Sequence, residues 1–211
     1  MRFLFNPESR VHYYLTRLVD LFILNVLFIV SCLPIVTIGS AILALYQVSA
    51  KIAFNQDSSI VTEYLEGFKA NLKRGIQLTL LFLLQYFLLM ISFLAFIQLA
   101  GINRLIGLFG TTMLTFFIFF QTVYLFPYCA RYNDSLRNAY KNAYLIAFLN
   151  LKQSLFIGIC FIFLGICLSW NAITFSAISL IIIFFGFSSI AVLISRIVNP
   201  VFQQYEPGMK E

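Results

Sequence analysis

Long apolar runs separated by short polar segments dominate the pattern of this chain. Four of the runs contain no charged residue and reach the roughly 17 residues that an α-helix needs to cross a bilayer. They cover residues 76–100, 105–130, 154–170 and 172–195. The pattern therefore predicts four membrane-spanning helices, the last two of which form a tight hairpin at Trp170.

The N-terminal third contains two more apolar runs, at residues 18–34 and 37–54. Pro34 lies between them. Because proline has no amide hydrogen and its ring clashes with the preceding helical turn, this residue either kinks one long helix or lies in a turn between two helices. Gly39 adds a second flexible point. The apolar pattern alone leaves both alternatives open.

Basic residues occur in groups that alternate in size along the chain. Three arginines precede residue 18, four basic residues lie between 51 and 74, one lies at 104, four lie between 131 and 152, none lies near Trp170, and two follow residue 195. Short loops rich in Lys and Arg stay in the cytoplasm. Two spans before Lys51 obey this rule throughout, which predicts six spans, two cytoplasmic termini and an external turn at Leu33–Pro34. Five spans, with residues 37–54 interfacial or re-entrant, is the alternative.

Two polar segments predict amphipathic helices, at residues 59–74 and 133–152. Each places apolar side chains on one face and Lys or Arg on the other. Such helices lie along the cytoplasmic interface, where they set topology or dock a partner. Each segment ends in Asn-Leu-Lys directly before a span, which hints at an internal repeat.

Composition agrees with a membrane protein, because 61% of the 211 residues are hydrophobic and only 10% are charged. Soluble domains carry about 25% charged residues. We therefore predict an all-α polytopic protein, a single integral membrane domain whose main partner is the lipid bilayer. The net charge of +6 follows from topology and does not indicate nucleic acid. The four cysteines show no metal-ligand spacing and are interpreted as apolar filler.

Groups for catalysis are scarce in this sequence. His12 is the only histidine and precedes the first span, and no catalytic or phosphate-binding motif occurs. We therefore expect no enzyme, no metal and no cofactor. Asp20 is the one acid within an apolar run, and Arg17 on the same helix face predicts a local ion pair, with proton or cation coupling as the alternative. Asn25, Gln85 and Gln121 are expected to join helices by hydrogen bonds.

Three stretches together resemble one family. Leu33, Pro34, Thr37, Gly39, Ala44 and Tyr46 form a Leu-Pro-x-x-Thr-x-Gly turn followed by small residues and a tyrosine. Residues 68–75 contain Phe-Lys-x-Asn-x-Lys, and residues 124–143 contain Phe-Pro-x-x-Ala-Arg-Tyr and then Lys-Asn-Ala. This ordered set resembles the YesL-like integral membrane proteins of Gram-positive bacteria, through most of the chain and least after about residue 155.

The resemblance implies a setting and no chemistry. That family has no established molecular activity, and its members are encoded near carbohydrate ABC-transport systems. It therefore implies an accessory role in oligosaccharide uptake or its regulation, in the bacterial plasma membrane. The Glu-Ala-Ala loop of permease subunits is absent from the sequence, so we do not expect the permease itself. A small transporter or channel in its own right is the alternative.

Ten residues are candidates for structural or functional roles on these grounds. They are Asp20, Asn25, Pro34, Thr37, Gly39, Tyr46, Asn71, Lys73, Pro127 and Arg131.

Overall fold

The computed structural model describes residues 10–56 and 59–204, and within these ranges it is helical, with no strand. The eight helices of this part are α1 (Arg10–Ser31), α2 (Ile38–Ala53), α3 (Ile60–Ala70), α4 (Leu72–Ile97), α5 (Gly101–Arg131), α6 (Leu136–Leu149), α7 (Leu151–Ser169) and α8 (Ala172–Gln204). Six segments, in α1, α2, α4, α5, α7 and α8, are long and apolar enough to cross a membrane. The predicted all-α polytopic class is confirmed.

Helix ends differ from the predicted spans because helical geometry continues past the apolar residues. α1 begins at Arg10 instead of residue 18, and α8 continues to Gln204 instead of ending at 195. The added part of α8 is held by packing, since Val198, Val201 and Phe202 are almost fully buried. The predicted cytoplasmic position of the N-terminus concerns residues 1–9, which lie outside the described part of the chain.

The apolar spans differ in how much of their surface the protein itself covers. Only 6% of the α4 window is buried, whereas half of the α2 window is. Leu84, Phe87 and Leu88 on α4 each leave more than half of their surface exposed. Water would not tolerate so large an apolar patch, whereas hydrocarbon would. The outer surface therefore suits a lipid bilayer.

The middle of the fold consists of two three-helix units of the same order. In the first unit, α3 folds back on α2 and leads into α4. In the second, α6 folds back on α5 and leads into α7. A buried asparagine forms each joint: Asn71 Nδ2 donates to Gly67 O at 2.8 Å, and Asn150 Nδ2 donates to Ile146 O at 2.9 Å. The Asn-Leu-Lys repeat thus marks matching joints.

The two ends of the bundle have different chemistry. α5 runs antiparallel to α4 and α7, as the Phe82–Phe126 ring pair and the contact of Gly158 with Phe120 indicate. We call the end where α4 and α7 begin and α5 ends the basic end, because Lys69, Lys73, Arg74, Arg131 and Lys141 lie there. Arg104 and Trp170 lie at the opposite end, which we call the far end.

Pro34 lies in a turn between α1 and α2, as one of the two sequence alternatives predicts. The hydroxyl of Thr37 donates to the carbonyl oxygens of Ser31 and Pro34, each at 2.7 Å, and so holds the end of α1 against the turn. The amide of Gly39 donates to Thr79 Oγ1 at 2.7 Å, and Ser40 Oγ donates to Leu72 O at 3.2 Å.

These contacts place the turn near the basic end. Thr79 is seven residues after Leu72, which is about 10 Å along α4 at 1.5 Å per residue. The prediction that the Leu33–Pro34 turn lies at the opposite end from the start of α4 is therefore wrong. Close packing explains the difference: Gly39 and Gly75 have no side chains, so α2 and the first turns of α4 approach backbone to backbone.

Asn25 joins α1 to the one π-helical segment of the described chain, Ile182–Gly186 within α8. Its Nδ2 donates to Ile183 O at 2.6 Å, and its Oδ1 accepts from the amide of Ser188 at 3.0 Å. A π-turn leaves helical amide and carbonyl groups without their usual partners. The fully buried Asn25 side chain supplies those partners, so it joins helices as predicted.

Candidate functional site

A cavity of about 760 Å³ opens at the basic end, between α2, α3, α5 and α8. Its charged lining residues are Lys51 on α2, Glu63 and Glu66 on α3, and Arg131 on α5. Four amides also line it: Gln47, Gln56, Asn199 and Gln203. Both units and the end of α8 thus contribute to one polar space.

Small residues keep this cavity open. A Cβ added to Gly67 would overlap the side-chain oxygen of Gln47, which lies directly over the α3 backbone. Ala50, Ala70 and Ala130 line the walls with single methyl groups. Pro127, inside α5, also lines the cavity and has no amide hydrogen to bury there.

Gln47 fixes the wall that joins the two units. Its Nε2 donates to Ala130 O at 3.1 Å, near the end of α5, and its Oε1 accepts from Asn71 Nδ2 at 3.3 Å. Asn71 therefore serves both its own helix joint and this bridge. The bridge makes the spacing of α2, α3 and α5 depend on two amide side chains.

The charges around the cavity balance. Lys51 Nζ lies 3.0 Å from Glu63 Oε2, so this pair links α2 to α3. Glu66 is exposed at the rim and takes part in neither of the ion pairs found in residues 10–56 and 59–204. Arg131 is exposed on the opposite wall, with its guanidinium carbon 5.7 Å from the Tyr132 ring centre. Two positive and two negative side chains therefore face one another.

Asn199 is the buried polar group of the cavity. Only 5% of its surface is exposed, and its amide makes no hydrogen bond within the described part of the chain. Asn199 therefore offers a free donor and a free acceptor to whatever enters the cavity.

Arg74 lies behind the cavity and closes the end of α5. Its Nη1 donates to Cys129 O at 3.1 Å and to Tyr132 O at 2.6 Å, and its Nη2 donates to Asp134 O at 3.0 Å. The last carbonyls of a helix have no partner in the helix and carry partial negative charge. The Arg74 guanidinium binds one such carbonyl, Cys129 O, and two carbonyls of the segment after α5, and so anchors α4 to the end of α5.

Polar contacts also fix α6 against the end of α5. Tyr128 OH donates to Asp134 Oδ2 at 2.5 Å and accepts from Asn142 Nδ2 at 2.7 Å. Burial raises the pKa of Tyr64 on α3 and of Tyr140 on α6 above the usual value for tyrosine. Both phenols are therefore neutral at physiological pH, and α3 and α6 bury uncharged faces against α2 and α5.

The structure brings together only part of the predicted site residues. Tyr46, Pro127 and Arg131 line the cavity, and Asn71 reaches it through Gln47. Lys73 is exposed on the first turn of α4. Pro34, Thr37 and Gly39 form the turn region, and Asn25 on α1 binds the backbone of α8. Asp20 pairs with Arg17 at 3.5 Å, as expected for the local ion pair.

Sequence reasoning missed the residues that give the cavity its polarity. Gln47, Glu63, Glu66, Asn199 and Gln203 were not candidates, because each is a single polar residue at the end of a span or on an amphipathic helix. Gln47 lies near Lys51 in sequence, Glu63 and Glu66 lie on α3, and Asn199 and Gln203 lie near the end of α8, so no sequence pattern connects these five residues. Among the described residues, no group of three His, Cys, Asp or Glu is placed to hold a metal.

Comparison with known proteins gives one finding of similarity. The model of a family described as a protein of unknown function, DUF624, matches residues 21–93, about a third of the chain. The match covers part of α1, all of α2 and α3, and most of α4. It is consistent with the resemblance noted from the sequence and carries no activity. No curated protein and no solved structure matches the chain.

Proposed function

We propose that this chain is a non-enzymatic integral membrane protein of the bacterial plasma membrane that assists a carbohydrate ABC transporter or its regulation. In this proposal the basic end and the end of α8 face the cytoplasm, and the exposed faces of α3 and α6 dock the partner. The start of α1 then lies on the other side of the membrane, because the turn that ends α1 lies near the basic end. The observation that carries the proposal is a set of four exposed basic side chains at the basic end: Lys69 at the end of α3, Lys73 at the start of α4, and Arg137 and Lys141 on α6.

The packing of α3 and α6 supports docking over a purely topological role. Tyr64 on α3 and Ala139 and Ala143 on α6 are fully buried, so the protein itself holds both helices in place. Lys69, Arg137 and Lys141 are exposed on the opposite faces, and Lys73 is exposed beside them on α4. A rigid basic surface suits an acidic partner, because such charges steer encounter and fix orientation.

Cross-linking in native membranes tests this proposal. The charge-reversed variant carries Glu at Lys69, Lys73, Arg137 and Lys141, and the matched control carries Arg104→Glu at the far end. We expect recovery of carbohydrate-transporter subunits to fall at least tenfold for the first variant and to stay unchanged for the control. Equal recovery from both would reject docking through these faces.

A transporter or channel in its own right is the second candidate, favoured by buried polar groups within the bundle. Gln121 is fully buried, and neither atom of its amide has a hydrogen-bond partner in the described chain. The Tyr140 hydroxyl lies near the Gln121 amide without a hydrogen bond of good geometry, and Gln85 Oε1 is also buried without a partner in the described chain. Such groups inside a membrane protein often mark a path for a polar solute.

Flux into proteoliposomes tests this second candidate. Transport through the bundle should be abolished by Gln121→Leu and kept by Gln98→Leu, since Gln98 is exposed at the end of α4. Absence of flux for all sugars and ions tested would reject a transporter or channel role, and the accessory role would stand as the proposal.

A further inference from the structure

We propose that the cavity at the basic end binds a neutral, polyhydroxylated solute of monosaccharide or disaccharide size. This inference deepens the accessory role in carbohydrate uptake proposed above and rests on it. It names the ligand of a site that involves none of the four basic residues proposed for docking.

Charge balance around the cavity favours a neutral ligand. Lys51 and Arg131 oppose Glu63 and Glu66, so the charged side chains that line the cavity within residues 10–56 and 59–204 sum to zero. An anion would be attracted by the two basic groups and repelled by the two acidic ones. A cation would be attracted by the acidic groups and repelled by the basic ones. The Lys51–Glu63 pair, at 3.0 Å, already neutralises two of the four.

Amide groups favour hydroxyls as the ligand's functional groups. An amide both donates and accepts, and so does a hydroxyl, so one side chain can pair with one or two sugar hydroxyls. Asn199 is 5% exposed, and its amide makes no hydrogen bond to any of residues 10–56 and 59–204. Gln203 is exposed one helical turn after it on α8 and lines the same cavity. A site built to hydrogen-bond hydroxyls discriminates strongly against ligands that lack them.

Size and shape agree with this assignment. The volume of about 760 Å³ lies within the range of about 300–1,000 Å³ that is typical of small-molecule sites. Tyr46 and Phe54 also line the cavity and provide apolar surface for the C–H face of a sugar ring. The ligand would contact α2, α3, α5 and α8 together, so its binding would stabilise the packing of these four helices.

Saturation-transfer NMR on the full chain in lipid nanodiscs tests the proposal, with maltose, melibiose and rhamnose as probes. High sugar concentrations stabilise proteins without binding, so the readout is saturable transfer at millimolar concentration instead of a melting temperature. The variants are Asn199→Leu, which removes the buried amide, and Gln203→Leu at the exposed rim. Gln77→Leu is the matched control, because Gln77 is exposed on α4 and outside the cavity.

We expect saturable transfer to at least one probe, at least tenfold weaker affinity in Asn199→Leu or Gln203→Leu, and unchanged affinity in Gln77→Leu. The exposed Gln203 keeps the test valid if Asn199→Leu fails to fold. No saturable transfer to any probe, equal affinity in all three variants, or tighter binding of glycylglycine or phosphoethanolamine would overturn the proposal. Because the lining excludes Lys69, Lys73, Arg137 and Lys141, sugar binding can persist when docking fails, and the two results are distinguishable.

Discussion

The two three-helix units use the same joint and different first helices. α5 has 31 residues and runs the whole length of the bundle, whereas α2 has 16 residues and begins beside the first turns of α4. Each unit still ends its short helix at a buried asparagine, Asn71 or Asn150, before the next span. The asparagine joint therefore depends only on contacts within one helical turn. The point along the bundle at which the first helix of a unit begins depends instead on the segment that precedes that helix.

The short first helix has a consequence for the site. α2 begins beside Thr79, inside the bundle, and runs toward the basic end, so its last turns lie beside the ends of α5 and α8, where Gln47 bonds Ala130. The cavity forms in that region, between the short helix of one unit and the long helix of the other. A first helix as long as α5 would place different residues there.

The prediction with the largest expected effect concerns the side of the membrane from which a reagent reaches the Leu33–Pro34 turn. In a cysteine-free background, Ile35→Cys and Lys69→Cys should react with a membrane-impermeant maleimide from one side, and Trp170→Cys from the other. The reason is that the turn bonds Thr79 near the basic end. Reaction of Ile35→Cys from the side of Trp170→Cys would contradict this arrangement and restore the external turn.

The native thiol next to this turn offers a pH test of the same region. Burial raises the pKa of Cys32 to about 11. Only the thiolate attacks a maleimide, so a raised pKa means a very small reactive fraction at neutral pH. The rate of Cys32 labelling should therefore be low at pH 7 and rise steadily up to pH 10. The labelling rate of a water-exposed cysteine introduced at Lys69 should instead level off above the ordinary pKa of a thiol. Equal pH profiles would contradict the burial of Cys32.

Substitution at the glycine contact should cost the next largest amount. A Cβ at Gly75 would overlap the backbone of Ser40, so Gly75→Leu forces α4 away from α2 and should destabilise the protein by about 3 kcal/mol. A Cβ at Gly110, in the second unit, meets nothing within 4 Å. Gly110→Leu should therefore leave thermal stability in detergent unchanged or raised. Equal losses for both variants would show that the close approach is not what positions α2.

Loss of the guanidinium at the end of α5 should have a smaller effect. Arg74→Met removes three hydrogen bonds to carbonyl oxygens and should cost about 2 kcal/mol in urea or thermal unfolding. The adjacent Lys73 is exposed, so Lys73→Met should change stability by less than about 0.5 kcal/mol. A cost for Lys73→Met as large as that for Arg74→Met would mean that positive charge, and not the carbonyl contacts, stabilises this end.

Several features were predictable because they depend on neighbours in sequence. The apolar runs, the break at Pro34, the pair of Arg17 and Asp20 and the repeated Asn-Leu-Lys are all local. The second predicted amphipathic helix buries only part of its apolar residues against protein: Ala139 and Ile146 are buried, whereas Phe148 and Leu151 are exposed. Helical periodicity gives an apolar face, but it does not say which part of that face meets protein and which meets lipid.

The sequence by itself determined that the chain is helical and that its solvent is a bilayer, because hydrophobic length and charge distribution decide both without reference to distant residues. Only the tertiary structure decided that the Pro34 turn lies at the basic end, that Asn25 completes the π-turn of α8, and that Asn199 faces the charges of α2, α3 and α5 across a cavity. The physical reason is that these contacts join residues far apart in the chain, and they depend on how closely two glycine-bearing helices pack.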